Sequence, residues 1–197
     1  LLALGVNVDM CTNNNWESIL KTRFVEVNAN HMFLRVDESD ANYGALNIED
    51  VKQIDFKKYD AVVVSDYNKG FLNPQVLHLI SRAHPLTFLD TKKILGDWSE
   101  DFSYIKINHK EYEATKHTLT KRLLSKLIMT KGPSGCIHQD NLYPVDSVEV
   151  KDTSGAGDTF ISALAYTYAK SKDIVESIAF ANKCATEVVQ KKGVSVV

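Results

Sequence analysis

The sequence predicts an α/β protein with a mostly parallel central sheet and helices on both faces. Short apolar or β-branched runs (Ala61 to Ser65, Leu86 to Leu89, Ser103 to Ile107, Leu127 to Thr130) alternate along the chain with stretches of helical periodicity. Two of these runs end on polar clusters, Asp66-Tyr67-Asn68-Lys69-Gly70 and Asp90-Thr91-Lys92, and ligands of open α/β sheets collect beyond such strand ends. A glycine-rich turn, Ser154-Gly155-Ala156-Gly157, links the apolar, strand-like run Val145 to Val150 to a helical pattern of Phe160, Ile161, Leu164, Ala165 and Tyr168.

At 197 residues the chain can bury one sizeable core, so one domain over residues 1–197 is expected. A hydrophobic share of 44%, a charged share of 24% and a net charge of −2 argue against a general nucleic-acid surface. No apolar run reaches the roughly 18 residues of a membrane span, and no basic start with a long apolar stretch marks a signal peptide. A cytoplasmic protein with no membrane or nucleic-acid partner is the expectation. Cys11, Cys136 and Cys184 are widely spaced and read as reduced thiols, and the six histidines show no zinc-ligand spacing.

Leu1 to Val8 is apolar and reads as a core strand or the end of a helix–strand unit, with an upstream part of the fold missing. Thr22 to Val27 and His31 to Val36, around Asn28-Ala29-Asn30, read as a β-hairpin. Ile48 to Phe56 reads as a short amphipathic helix. Asn73 caps, and Pro74 starts, a helix to about Ala83. Ala114 to Ser125 is short for a parallel crossover, so either the connection is abbreviated or residues are absent. Cys136 to Gln139 reads as a strand. Asp173 opens the last helix, built on Ile174, Ile178, Ala181, Ala185, Val188 and Val189, with Gly193 as its cap and Val194 to Val197 as a final strand.

The sharpest chemistry lies at Asp152 to Thr159. The first N–H groups of a helix have no intrahelical acceptor and the helix dipole adds positive charge, so the turn can hold an anion such as phosphate. Gly155 and Gly157 allow close backbone approach. Asp158 beside an anion site is either a catalytic base or a first-turn carboxylate that favours the dipole. Asn108 with Glu111 is either a helix-starting cap or a pair of oxygen ligands. Lys21 and Arg23 on the hairpin are either solvated edge charges or ligand contacts.

Asp152-Thr153-Ser154-Gly155-Ala156-Gly157-Asp158 resembles the C-terminal signature of the ribokinase-like (PfkB) sugar kinases, D-T-x-G-A-G-D. The resemblance implies a ribokinase-like three-layer sandwich with the hairpin at about residues 22–36 as a small lid over a sugar. It makes Asp158 the base and the N–H groups of Gly155, Ala156 and Gly157 the anion hole for a phosphoryl group, an arrangement suited to phosphoryl transfer. Asn108 and Glu111 match the family's Asn-x-x-Glu motif, which places Mg²⁺, possibly through water. Thr130, Lys131, Gly132 and Gly135 match its nucleotide-contacting T-x-G-x-x-G loop. Asp152 and Asn182 join the ATP-side candidates, although Asn182 also reads plainly as an exposed helical residue. The family's Gly-Gly substrate motif has no counterpart here.

Within that family the chain is most similar to the heptose 7-phosphate kinases, through Lys21-Thr22-Arg23, Val64 to Gly70, Leu89 to Lys92 and the glycine-rich motif. The implied substrates are ATP and a sugar phosphate, with Mg²⁺ as cofactor and a homodimer through the lid sheet. Lys21, Arg23, Asp66, Lys69, Asp90 and Lys92 are the sugar-side candidates, since a phosphorylated sugar needs fixed cations. The rival functions are another sugar kinase of the same family and a non-catalytic nucleotide- or sugar-binding relative.

Overall fold

The computed structural model describes residues 1–26, 32–39 and 44–197. In chain order the elements are β1 (Leu20–Val25), β2 (Met32–Glu38), α1 (Ile48–Lys52), β3 (Val62–Asp66), α2 (Pro74–Ala83), β4 (Thr87–Thr91), β5 (Tyr104–Asn108), α3 (His109–Thr115), α4 (Lys121–Leu124), β6 (Leu127–Thr130), β7 (Cys136–His138), β8 (Asn141–Tyr143), α5 (Ala156–Ser171) and α6 (Ile174–Val188). β3 to β8 form one six-stranded sheet in chain order, and β1 pairs with β2 in a separate hairpin. β3, β4, β5 and β6 run parallel, while β7 and β8 turn back antiparallel. The ribokinase-like α/β fold expected from the sequence is the fold observed.

Strand alternation divides the core in two. Val64, Leu89, Ile105, Ile107 and Leu127 pack with Val76, Leu77 and Ile80 of α2 on one face. Phe88 and Ile128 pack with Phe160, Ile161 and Leu164 of α5 and Ile178 and Ala181 of α6 on the other. Each fully buried Leu, Ile or Phe contributes about 1.5–3 kcal/mol, so these two layers of helix fix which side of the sheet every strand residue faces. Helix starts are set locally. Asn73 Oδ1 accepts from Val76 N–H at 2.9 Å with Pro74 in the first turn, and Asp173 Oδ1 accepts from Val175 N–H at 2.8 Å.

Several local expectations change. Leu1 to Val8 is no strand: Leu4 N–H bonds Leu1 C=O, Gly5 N–H bonds Leu2 C=O, and Gly5 closes the turn at φ 70°. Helix α1 stops at Lys52, because Asp55 accepts from Lys57 N–H and starts a tight turn at Phe56. The crossover from β5 to β6 is complete, since its helix begins at His109 rather than Ala114. Val145 to Val150 pairs with no strand; the chain leaves the sheet after β8, and the N–H groups of Lys151 and Asp152 bond Val189 C=O beyond α6. Gly193 lies past the end of α6, whose cap is Val189, and Val194 to Val197 folds back on that helix through Ser195 Oγ and Val188 C=O at 3.2 Å instead of adding a strand.

The hairpin is present with shifted ends. Leu20 faces Glu38, Arg23 faces Arg35, and a register shift falls between Phe24 and Val25. Its proposed turn, Asn28-Ala29-Asn30, lies outside the described residues. Cys11 is exposed, and Cys136 and Cys184 are buried thiols. Among the described residues no helix is long and apolar enough to cross a membrane.

Candidate active site

Register brings the site together. Ser65 of β3 pairs with Asp90 of β4, and Asp90 with Lys106 of β5. Two residues earlier on the same strands, Val63, Phe88 and Tyr104 belong to the core beneath α5 and α6. By the period of two, Ser65, Asp90 and Lys106 therefore continue that face as a polar row at the strand ends, where α5 begins.

Asp158 sits in the first turn of α5, above this row. Ser65 Oγ donates to its Oδ1 at 3.2 Å and Tyr67 Oη to its Oδ2 at 2.7 Å, so both carboxylate oxygens are held. Burial and the neighbouring Asp158 push the Tyr67 hydroxyl well above its ordinary pKa, which keeps it protonated as a donor. Gly155 takes φ 80°, a left-handed conformation that sets the helix entry. Among the described residues the N–H groups of Gly155, Gly157 and Asp158 have no hydrogen-bond partner, whereas Ala156 N–H is taken by Thr153 C=O at 3.3 Å. The expected anion-facing donors are therefore present except at Ala156, whose N–H closes the turn.

Lys106 is buried, and its Nζ lies 2.8 Å from Asp90 Oδ2. A Cβ on Gly157 would meet that Nζ at 2.6 Å, so the ammonium occupies the space beside the helix start. Burial pushes the Asp90 carboxyl up, Lys106 pulls it down, and Glu111 and Asp158 add to the upward push. One buried cation thus stands among three carboxylates. The sequence reading missed Lys106, although a lone charge inside Tyr104-Ile105-Lys106-Ile107 is the signal of a buried pair. Ser65 and Tyr67 were also missed as contacts, because hydrogen bonds to Asp158 span 93 and 91 residues.

Asp66 lies one residue from Ser65 and so faces the other side of the sheet. Its carboxylate accepts from Thr91 Oγ1 at 2.7 Å and pairs with Lys93 Nζ at 2.9 Å. Asp66 therefore frames the Tyr67–Gly70 loop, with Lys93 as its unforeseen partner, and it lines the same cleft as Asp158 without a hydrogen bond to it among the described residues. Lys92 Nζ lies 4.3 Å from the centre of the Tyr67 ring, and Lys21 Nζ from β1 lies 5.5 Å from it. Lys21, Arg23, Lys69, Lys92, Tyr67, Gly155 and Asp158 all line one open cleft of about 2190 Å³ between the hairpin and the strand ends. Burial raises the Asp152 carboxyl, but hydrogen bonds from Ser154 and the Arg23 charge outweigh it and hold Asp152 below its ordinary value.

A second group lies along β5, β6 and β8. Asn108 Oδ1 accepts from Glu111 N–H at 2.9 Å while Glu111 Oε2 accepts from Asn108 N–H at 2.7 Å, a reciprocal cap. Among the described residues, Glu111 Oε1 is left without a partner, so capping does not exhaust this carboxylate. Thr130 pairs with Asn108 across the sheet, and Lys131 N–H bonds Gly135 C=O at 2.7 Å around Gly132. Gly135 has φ 82°, and a side chain there would collide with Tyr143 C=O. That same carbonyl accepts from Asn182 Nδ2 at 3.0 Å. Asn182 is thus buried, contrary to its plain reading as exposed, and ties α6 to the end of β8.

A glycine-rich helix start, a carboxylate held at both oxygens and several lysines thus lie together at the strand ends of an α/β sheet. The model of the pfkB family of carbohydrate kinases matches residues 1–196, and the chain belongs to that family. It is 31% identical over 220 residues to the bifunctional protein HldE of Sulfurimonas denitrificans, covering 98% of this chain and 46% of that protein. It is 33% identical over 155 residues to the bifunctional protein HldE of Nitratiruptor, covering 70% of this chain and 34% of that protein. The chain thus spans less than half the length of these curated relatives. Among solved structures, the ribokinase of Thermotoga maritima superposes with a TM-score of 0.66 at 19% identity, covering 88% of this chain and 63% of its own. Phosphofructokinase-2 from Escherichia coli gives 0.62 at 18% identity, covering 89% and 66%.

Proposed function

We propose that residues 1–197 form one kinase domain that transfers the γ-phosphoryl group of ATP to a sugar hydroxyl, with Asp158 as the base. The observation that carries this reading is the Asp158 carboxylate, held at both oxygens by Ser65 and Tyr67 in the first turn of α5. Asp158 takes the proton of the attacking hydroxyl, and the free N–H groups at Gly155, Gly157 and Asp158, with the helix dipole, face the charge that develops on the phosphoryl oxygens. Lys106 lends a fixed positive charge behind Gly157.

Mg²⁺, bound with ATP, would neutralise charge between the phosphates. The residues fit such an ion in a limited way. Glu111 keeps one oxygen available beside its cap to Asn108. Mg²⁺ keeps several waters and takes further ligands from phosphates, so one carboxylate can suffice. Asn108, Glu111, Thr130, Lys131, Gly132 and Gly135 form the nucleotide side, with Asp152 ordering the glycine-rich turn between the two sides. Asn182 supports that side through Tyr143.

The sugar we infer is D-glycero-D-manno-heptose 7-phosphate, phosphorylated at O1 to the 1,7-bisphosphate, as in lipopolysaccharide precursor synthesis. Two HldE relatives and the convergence of Lys21, Arg23, Lys69 and Lys92 on the Asp158 cleft support it. A cytoplasmic setting follows from the need for ATP. The hairpin exposes Leu20, Phe24, Phe33 and Leu34 at 53% or more, a surface suited to a second copy of the chain. Coupled ADP release with heptose 7-phosphate, ribose and fructose 6-phosphate tests the assignment. Turnover confined to the heptose is expected; turnover with another sugar alone would move the chain to a different carbohydrate kinase, and none with any would remove the enzyme reading.

A further inference from the structure

Among the described residues, the Tyr67 side chain touches both the proposed base and the cationic cleft wall. It stands one residue beyond β3, on the same side of the chain as Ser65, so its hydroxyl reaches Asp158 Oδ2 at 2.7 Å. Its ring is flanked by Lys92 at 4.3 Å, from the end of β4, and Lys21 at 5.5 Å, from the hairpin. The loop that carries it is fixed from below: Asp66 Oδ1 accepts from Asn68 N–H at 3.0 Å, and Asp66 itself is clamped by Thr91 and Lys93. Asn68 adopts φ 56°, which turns the chain sharply after Tyr67.

A phenol hydroxyl committed to a carboxylate at the mouth of a cleft fixes the direction of that carboxylate. Tyr67 donates to Oδ2 and Ser65 makes the second, longer bond to Oδ1, so rotation about the Cβ–Cγ bond would break both. Each oxygen keeps further lone pairs for a ligand.

We propose that Tyr67 is a positioning residue for this site, whose hydroxyl orients the Asp158 carboxylate while its ring seats the Lys21 and Lys92 side chains. The proposal rests on the reading of Asp158 as the base. It separates the hydroxyl from the ring, which an aromatic wedge in a purely structural role would not do.

The test is the carboxyl-carbon NMR signal of Asp158 at fixed pH in protein labelled at aspartate, assigned from its loss in Asp158→Asn. Tyr67→Phe keeps the ring and its packing, and melting of the variant against wild type checks the fold. In Tyr67→Phe the Asp158 signal is expected to change its chemical shift as the carboxylate loses one of its two hydrogen bonds. In coupled ADP release with ATP and heptose 7-phosphate, kcat should fall roughly tenfold with the sugar KM little changed. An unchanged Asp158 signal overturns the proposal. So does a raised KM with unchanged kcat, which would make the residue a binding wall only. If the signal changes but no sugar is phosphorylated by the wild-type protein, the kinase reading fails while the Tyr67–Asp158 pairing stands.

Discussion

Lys106 Nζ lies 2.8 Å from Asp90 Oδ2 and fills the space that a side chain on Gly157 would need. The glycine at the second position of α5 is therefore explained by a lysine on β5, and not only by approach of a ligand. Gly157→Ala would bring its Cβ to 2.6 Å from that ammonium and push it off Asp90. Overpacking costs about 1–3 kcal/mol, and alanine returns about 1 kcal/mol of helix propensity, so a net loss of about 0–2 kcal/mol is expected by urea unfolding. In a Lys106→Ala background the same substitution should be neutral or stabilising. Equal effects in both backgrounds would show that the two residues do not share this space.

Lys106→Met removes the cation and leaves Asp90 buried beside Asp158 and Glu111. Breaking a buried pair typically costs about 3–5 kcal/mol. The pH dependence has a definite sign. Burial already lifts the Asp90 carboxyl in the folded chain, so its contribution to stability is greatest in acid and declines as pH rises above the ordinary carboxylate value of about 4. Loss of Lys106 lifts Asp90 further, and the variant should lose more stability relative to wild type at neutral pH than at about pH 4. Unfolding curves at the two pH values check this, and an equal loss at both would contradict it.

Under the proposed function Glu111 has two separable jobs, capping α3 and offering an oxygen to Mg²⁺. Glutamine at this position can still accept from Asn108 N–H, so the reciprocal cap and the stability of α3 should change by less than about 0.5 kcal/mol. The charge offered to Mg²⁺ is lost. Glu111→Gln is expected to raise the Mg²⁺ concentration needed for half-maximal ADP release several-fold, and an unchanged metal titration would confine Glu111 to capping.

Arg23 lines the cleft and helps hold Asp152 ionised. Its removal should weaken binding of a sugar phosphate by about 1.5–3 kcal/mol, the scale of a hydrogen bond to a charged group. An unphosphorylated sugar and ATP should bind as before. Competition binding with the two sugars measures this, and equal losses would point to a disturbed hairpin.

The layered fold was legible because its signals are local. β-branched runs mark β3 to β6, and caps such as Asn73 and Asp173 mark helix starts within a few residues. Val145 to Val150 and Leu1 to Val8 misled because apolar content alone does not supply a pairing edge; the first run leads into Lys151 and Asp152, whose N–H groups bond Val189, and the second closes a tight turn. The glycine-rich motif located Asp158. What surrounds Asp158 was not legible, since Ser65, Tyr67 and Lys106 reach the site through sheet register and not through sequence spacing. Asp66 shows the converse: the run that contains it points to the right loop, but alternation sends its side chain through the sheet to Lys93.

The central claim is that Asp158 removes the proton from the sugar hydroxyl. Asp158→Asn keeps the shape, with its amide oxygen accepting from one of the Ser65 and Tyr67 hydroxyls and its NH2 group donating to the other, but it cannot serve as a base. Coupled ADP release with heptose 7-phosphate should fall by roughly 10²- to 10⁴-fold, while ATP affinity measured by calorimetry stays close to wild type. Turnover near the wild-type rate would contradict the account and leave Asp158 as a helix-end carboxylate.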